Sequence, residues 1–228
     1  MAILRVIEDG AADASWVELG ILGTNVYFID DGDGGVVVAD PADNVDAILD
    51  IAGKRPISAI LVTHGHYDHV GALDALRQAT GAPVVAPVDD AHRITDPEPG
   101  FIGRTAPASQ VDRTVEDGDT VQTGKLTWRV LHTPGHTEGS SCYLLEPSAG
   151  TNAEGFPLLL AGDTLFHGTV GRTDLDGGSV EAMCESMGKL AELDDATVVL
   201  PGHNSLTTIG LERERTINAI RGGDWLRP

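Results

Sequence analysis

The stretch ISAILVTHGHYDH, residues 57–69, decides how the chain is read. Its first part is apolar and β-branched, the pattern of a buried strand. Then His64, His66, Asp68 and His69 fall within six residues, with Gly65 among them. The strand has ended there, so successive side chains need not alternate. His64 and His66 can converge on one ion, and Asp68 and His69, at the start of the following helix, can point at a second. Imidazole is the commonest metal ligand, and carboxylates complete such sites. The bland alternative is a helix-capping turn with incidental histidines. Burying three imidazoles and a carboxylate together without an ion is too costly for that.

The same arrangement recurs outward along the chain. His136 closes TPGH (133–136) after the apolar run 126–132. Asp163 lies in AGDT (161–164) and His203 closes LPGH (200–203), each again after an apolar run. Singly, each would more often be structural. Together, His64, His66, His69, His136, His203, Asp68 and Asp163 all follow apolar runs, and this joint pattern points to a two-metal site. Pro134 and Gly135 forbid a helix between His132 and His136, so His132 is read as a strand end that packs or hydrogen-bonds. His92 and His167 have no such setting and are read as surface or loop residues.

Alternation and β-branched runs predict strands near 15–20, 25–30, 35–39, 57–62, 83–86, 126–132, 140–145, 157–161 and 197–200. Helical spacing predicts helices over 44–53, 69–80, 179–192 and 209–221, the second stopping at Gly81-Ala82-Pro83. Gly-Asp-Gly at 32–34 and Asp-Gly-Asp at 117–119 mark turns. The stretch 89–117 has no strong period and reads as a lid or substrate loop. The two halves echo each other. NVYFI, VVVAD, a helix and AILVTHGH in the first match SCYLL, LLLAGD, a helix and TVVLPGH in the second. Two sheets joined at one edge with helices outside would bring these strand ends together, so the expected fold is α/β, a four-layer αββα sandwich, formed as one domain over residues 1–228.

Composition narrows the function. A length of 228 residues suits one sizeable core. The formal charge of −20, with Lys54, Lys125 and Lys189 the only lysines, argues against nucleic acid and against anionic membrane surfaces. It excludes anionic substrates only weakly, because bound ions and local arginines reverse the field inside a pocket. No apolar run approaches the ~20 residues of a membrane span. MAILRVIEDG is too briefly apolar for a signal peptide and turns acidic at once. Cys142 and Cys184 form no CxxC motif and read as thiols in a reducing compartment. The expected location is cytoplasmic.

The motifs THGHYDH (63–69), TPGHT (133–137), AGDTLF (161–166) and PGHN (201–204), in that order, resemble those of the metallo-β-lactamase superfamily of dinuclear hydrolases. The likeness runs from about Asn25 to about Arg213. It implies the αββα fold, one ion on His64, His66 and His136, a second on Asp68, His69 and His203, and Asp163 bridging them. Asp40 matches a strand-end aspartate that orients ligands without touching the ion. The implied cofactor is a pair of divalent ions, zinc first, with iron or manganese as alternatives. Within the superfamily, the β-lactamases lack the bridging aspartate, and the tRNA-processing nucleases carry RNA-handling segments and basic surface, so neither is matched. GTVGRTDLDGG (168–178) resembles a segment shared by small bacterial type II glyoxalases and persulfide dioxygenases, and LTTIGLERER (206–215) is more similar to the glyoxalases. Larger glyoxalases have a C-terminal helical domain that helps bind glutathione. Small forms lack it, which leaves the thiol carrier open.

The expected activity is cleavage of a 2-hydroxyacyl thioester, S-lactoylglutathione-like, by a hydroxide shared between two ions that lower the pKa of water to around 7. Asp68 would orient that hydroxide while ligating. Arg172 would organise the pocket or bind a substrate carboxylate, or else pair with Asp174 as a structural residue. The alternatives are a persulfide dioxygenase with one Fe(II) on His64, His136 and Asp163, and a lactonase or other ester hydrolase. A binding protein on a dead hydrolase fold would have lost ligands, and none is missing.

Overall fold

A computed structural model describes residues 5–100, 103–148, 152 and 154–222. The first four residues of the segment read above for a signal peptide lie outside the described residues. The first sheet runs in chain order through β1 (Arg5–Ile7), β2 (Ala14–Leu19), β3 (Thr24–Asp30), β4 (Val36–Ala39), β5 (Ile57–Leu61), β6 (Val84–Pro87) and β7 (Arg113–Val115). Its pairings are antiparallel up to β4 and parallel from there on. The second sheet opens with β8 (Thr120–Thr123), β9 (Leu126–His132), β10 (Ser141–Leu145) and β11 (Leu158–Gly162). A two-stranded ribbon of β12 (Leu165–Phe166) and β13 (Thr169–Val170) follows, and the chain then adds β14 (Val198–Pro201) beside β11 and β15 (Thr207–Thr208) at the edge.

The echo between the halves is a repeated topology. In the first, β2, β3 and β4 pair antiparallel, helix α1 (Val45–Ala52) crosses over, and β5 pairs parallel with β4. In the second, β9, β10 and β11 pair antiparallel, and β14 pairs parallel with β11. A parallel partner requires such a crossover.

Three apolar clusters define four layers. Tyr27, Val37, Leu61, Trp128, Tyr143 and Leu160 meet between the sheets. The alternate residues Val26, Phe28 and Val38 turn to the other face of the first sheet, against Ile48, Leu73 and Leu76. Cys142, Leu144 and Leu159 do the same on the second sheet, against Met183, Met187 and Ile217. Both faces of each sheet are therefore covered, which explains why β4, β10 and β11 read as unbroken apolar runs rather than alternating ones. Trp128 is fully buried and donates its indole N–H to Thr123 Oγ1 at 2.9 Å. Trp128→Ala is expected to lower unfolding free energy by about 3–5 kcal/mol, read from denaturant midpoints, with the native protein's metal content unchanged.

Several elements depart from expectation. The helix predicted over 69–80 is two helices, α2 (Tyr67–Val70) and α3 (Leu73–Thr80). Ala72 N–H leaves the helical ladder to bond Pro41 O at 2.9 Å, which breaks the helix and moors it beside Asp40. The stretch 89–117 holds a helix, α4 (Ala91–Thr95), and strand β7. Helix α5 (Val180–Leu190) starts where Ser179 accepts from Ala182 N–H. The last predicted helix is α6 (Ile209–Glu212), a π-helical turn over Arg213–Ile217, and α7 (Asn218–Arg221). Buried Glu212 stands at the start of that turn, its carboxylate accepting from Thr207 Oγ1, Thr216 Oγ1 and Gly168 N–H. Among the described residues no helix is long and apolar enough to cross a membrane.

Candidate metal centre

Strand ends from both sheets deliver all seven predicted ligands to one place. His64, His66, Asp68 and His69 follow β5, His136 follows β9, Asp163 follows β11, and His203 follows β14. Their ligand atoms fall into three groups, each within 4.8 Å: His64, His66 and His136; Asp68, His69 and His203; and His64, His69 and Asp163. The first two groups are the two trios that the family resemblance implies. Asp163 spans them. Its Oδ1 lies 3.3 Å from His69 Nε2, and its Oδ2 lies 3.4 Å from His136 Nε2 and 3.6 Å from His203 Nε2. Asp68 Oδ2 is 3.3 Å from His203 Nε2, and His66 Nδ1 is 2.8 Å from His136 Nε2. Gly202 allows this crowding, because a Cβ there would sit 2.3 Å from Asp163 Oδ1 and 2.6 Å from His69 Cε1.

An outer ring aims the imidazoles. Asp40 caps β4 and is buried, accepting from Thr63 N–H at 2.8 Å, Thr63 Oγ1 at 2.7 Å and His69 Nδ1–H at 3.0 Å. His64 Nδ1–H donates in turn to Thr63 Oγ1 at 3.1 Å, and His136 Nδ1–H to Arg172 O at 2.8 Å. Each bond puts the proton on Nδ1 and leaves the Nε2 lone pair facing the centre. Thr24 Oγ1 holds Asp68 Oδ2 at 3.2 Å. Thr24 has no signature in the sequence, and Thr63 enters there only as the first residue of THGHYDH. Thr24 meets Asp68 because the β2–β3 turn lies at the same end of the sheet as the end of β5.

The electrostatics divide the centre. Burial first, then the neighbouring imidazoles, pushes His64 well down and His66 to about 3, so both are neutral. Burial would also lower His69 and His203, but the facing carboxylates of Asp163 and Asp68 outweigh it and raise both. The same pairs hold Asp68 and Asp163 below the usual carboxylate range against the opposing effect of burial. His64 Nε2, His69 Nε2 and Asp163 Oδ1 are buried without a hydrogen-bond partner. Buried polar atoms are rarely left so. Five imidazoles and two carboxylates with inward lone pairs fit a pair of borderline divalent ions.

Arg172 follows the second of its two expected roles, the pair with Asp174. Its guanidinium makes a two-point contact with Asp174 at 2.8 and 2.9 Å, while its carbonyl fixes His136. His132 ends β9 as read, donating through Nε2 to Glu138 O at 2.8 Å. His92 and His167 are exposed. His132→Ala is expected to lower the melting temperature while leaving metal binding by calorimetry intact, and His136→Ala to do the reverse.

A cavity of about 480 Å³ opens beside His66, with Tyr67, Pro97, Pro99 and Leu175 among its walls. The segment after α4, expected as a lid or substrate loop, supplies much of that wall. Cys142 and Cys184 are free thiols.

The family model described as "Metallo-beta-lactamase superfamily" matches residues 19–203. The chain is 41% identical over 209 residues to an uncharacterized protein of Mycobacterium leprae, covering 85% of this chain and 92% of the relative. It is 31% identical to a probable metallo-hydrolase of Bacillus subtilis, covering 86% and 92%. It is 38% identical to a hydroxyacylglutathione hydrolase of Rhodospirillum rubrum, covering 75% of this chain but 57% of that protein. Among solved structures, BLEG-1, a B3 metallo-β-lactamase, superposes with a TM-score of 0.80 at 32% identity, covering 88% of this chain and 96% of that one. TTHA1623 in a di-iron-bound form gives 0.77 at 32%, covering 88% and 98%, and ETHE1 from Myxococcus xanthus gives 0.70 at 28%, covering 97% and 85%.

Proposed function

The chain belongs to the metallo-β-lactamase superfamily, and on that premise we propose that it is a dinuclear metallo-hydrolase cleaving a 2-hydroxyacyl thioester such as S-lactoylglutathione. The observation that carries the dinuclear reading is Asp163, whose two oxygens face ligands of both trios. The likeness to the Rhodospirillum rubrum hydroxyacylglutathione hydrolase supports the substrate class. The metals proposed are two divalent ions, zinc first. The di-iron form of TTHA1623 keeps iron in view, and manganese remains an alternative. The proposed setting is the cytoplasm, where Cys142 and Cys184 stay reduced.

When bound, such a pair supplies Lewis acidity and a water acidified towards neutral pH. The chain's own residues do the rest. Asp40, Thr63 and the Arg172 carbonyl keep Nε2 of His69, His64 and His136 turned inward. Asp68, held by Thr24 and kept ionised, orients the attacking water. The cavity beside His66 is assigned to the substrate, while the Arg172 guanidinium, paired with Asp174, lines a separate pocket. The leaving thiolate needs no strong acid, since free thiols have a pKa of about 8.5.

Metal analysis beside a thiol-release assay tests this. Two ions per chain and thiol release without oxygen uptake are expected. A β-lactam run in parallel checks the likeness to BLEG-1. Oxygen consumption with a persulfide and no thioester cleavage would move the assignment to the single-iron dioxygenase, and cleavage of a lactone alone to a lactonase.

A further inference from the structure

One fully buried carboxylate near the centre belongs neither to the seven ligands nor to their outer ring: Asp90, in the turn before α4. Its Oδ2 accepts from Gly65 N–H at 2.6 Å and from Thr137 Oγ1 at 2.9 Å, and its Oδ1 accepts from Gly139 N–H at 3.0 Å. Gly65 lies between His64 and His66, and Thr137 follows His136. One carboxylate thus ties the ligand loop of the first sheet to that of the second. The packing leaves no slack, because a Cβ on Gly139 would come within 2.5–2.7 Å of Asp90 N, Oδ1 and Cβ. Arg93 adds a counter-charge, its Nε 3.6 Å from Asp90 Oδ1.

We infer that Asp90 is a positioning residue that clamps the two loops and sets the geometry of the trio His64, His66 and His136. The inference rests on the reading of that trio as an ion site. Of the other trio, Asp68 and His69 share the segment that Gly65 anchors but take contacts of their own, and His203 lies on a separate loop. Asp68, His69 and His203 are placed by Thr24, by Asp40 and by the close packing at Gly202. The clamp therefore bears most directly on the ion of His64, His66 and His136. A carboxylate is needed because three donors converge on it, and the amide of an asparagine offers one acceptor oxygen and turns an N–H₂ towards one of them.

The test is chelator competition on the zinc-loaded wild type, Asp90→Asn, Thr137→Val and the double variant, with zinc release followed by a chromogenic chelator. In Asp90→Asn one ion is expected to come off about 10–100-fold more readily, as for other residues that orient ligands, while the second keeps its wild-type affinity. Thr137→Val should weaken the same ion by less, and it carries the test if Asp90→Asn does not fold. The double variant should be no worse than Asp90→Asn, because both changes break the same contact. Equal weakening of both ions, no weakening of either, or a double variant with summed losses would reduce Asp90 to a stabilising residue. A wild type that holds fewer than two ions would instead overturn the dinuclear reading, and the clamp with it.

Discussion

Asp163→Ala is expected to leave the protein folded but unable to hold either ion at its wild-type affinity. The argument is geometric. The carboxylate stands 3.3 Å from His69, 3.4 Å from His136 and 3.6 Å from His203, so it faces both trios at once. No other side chain among the seven does so through two separate oxygens. Removing it also removes one of the negative charges that raise His69 and His203 above the ordinary imidazole value, where it acts beside Asp68 and Asp40 at His69 and after Asp68 at His203. Without an ion those imidazoles then become easier to deprotonate, so the loss of affinity cannot be assigned to proton competition at them. Turnover should fall by at least about 100-fold, the upper end of what losing an outer partner of a ligand costs. Emission spectrometry after gel filtration reads the metal content, and circular dichroism checks the fold. Two ions retained in the variant would reject the bridging role. Loss of one ion only would place Asp163 in a single trio.

The legible part of this centre was the part written locally. Each of the seven candidate ligands lies on the segment after an apolar strand, Asp68 and His69 already within α2, and a strand end is recognisable from a few residues of pattern. Asp40 was legible for the same reason, since it closes the run VVVAD. The layered fold was legible because both sheets are covered on both faces, which makes their strands continuous apolar runs. What escaped depends on distant partners. Thr24 reaches Asp68 across 44 positions, and Asp90 reaches Thr137 across 47. Neither spacing leaves a periodic trace. Arg172 was singled out for its guanidinium, yet its demonstrated contact with the centre is through a backbone carbonyl, a group every residue has. The break between α2 and α3 is likewise set by Pro41, far from the helical period that suggested one helix. Short edge strands such as β1, β7, β8 and β15 hold two to four residues each, too few for alternation to register.

His69→Ala and His203→Ala separate the hydrolase from the dioxygenase more sharply than any likeness does. A single-iron enzyme would draw on His64, His136 and Asp163, and it has no use for either of these two residues. In the proposed thioester hydrolase both belong, with Asp68, to the second trio, which would hold the second ion. His69 is fully buried, bonded to Asp40 at 3.0 Å, with an Nε2 that has no hydrogen-bond partner. His203 approaches Asp68 at 3.3 Å. Each substitution is therefore expected to lower thiol release by about 100-fold or more, beyond the cost of disturbing a ligand's outer partner. An oxygen electrode run beside the thiol assay, on zinc-loaded and iron-loaded protein, reads both chemistries from one sample. Rapid oxygen uptake with glutathione persulfide, unchanged in both variants and without thioester cleavage, would assign the dioxygenase. Thiol release that is weak with glutathione thioesters but strong with those of another thiol, and lost in both variants, would keep the hydrolytic centre and reassign only the carrier.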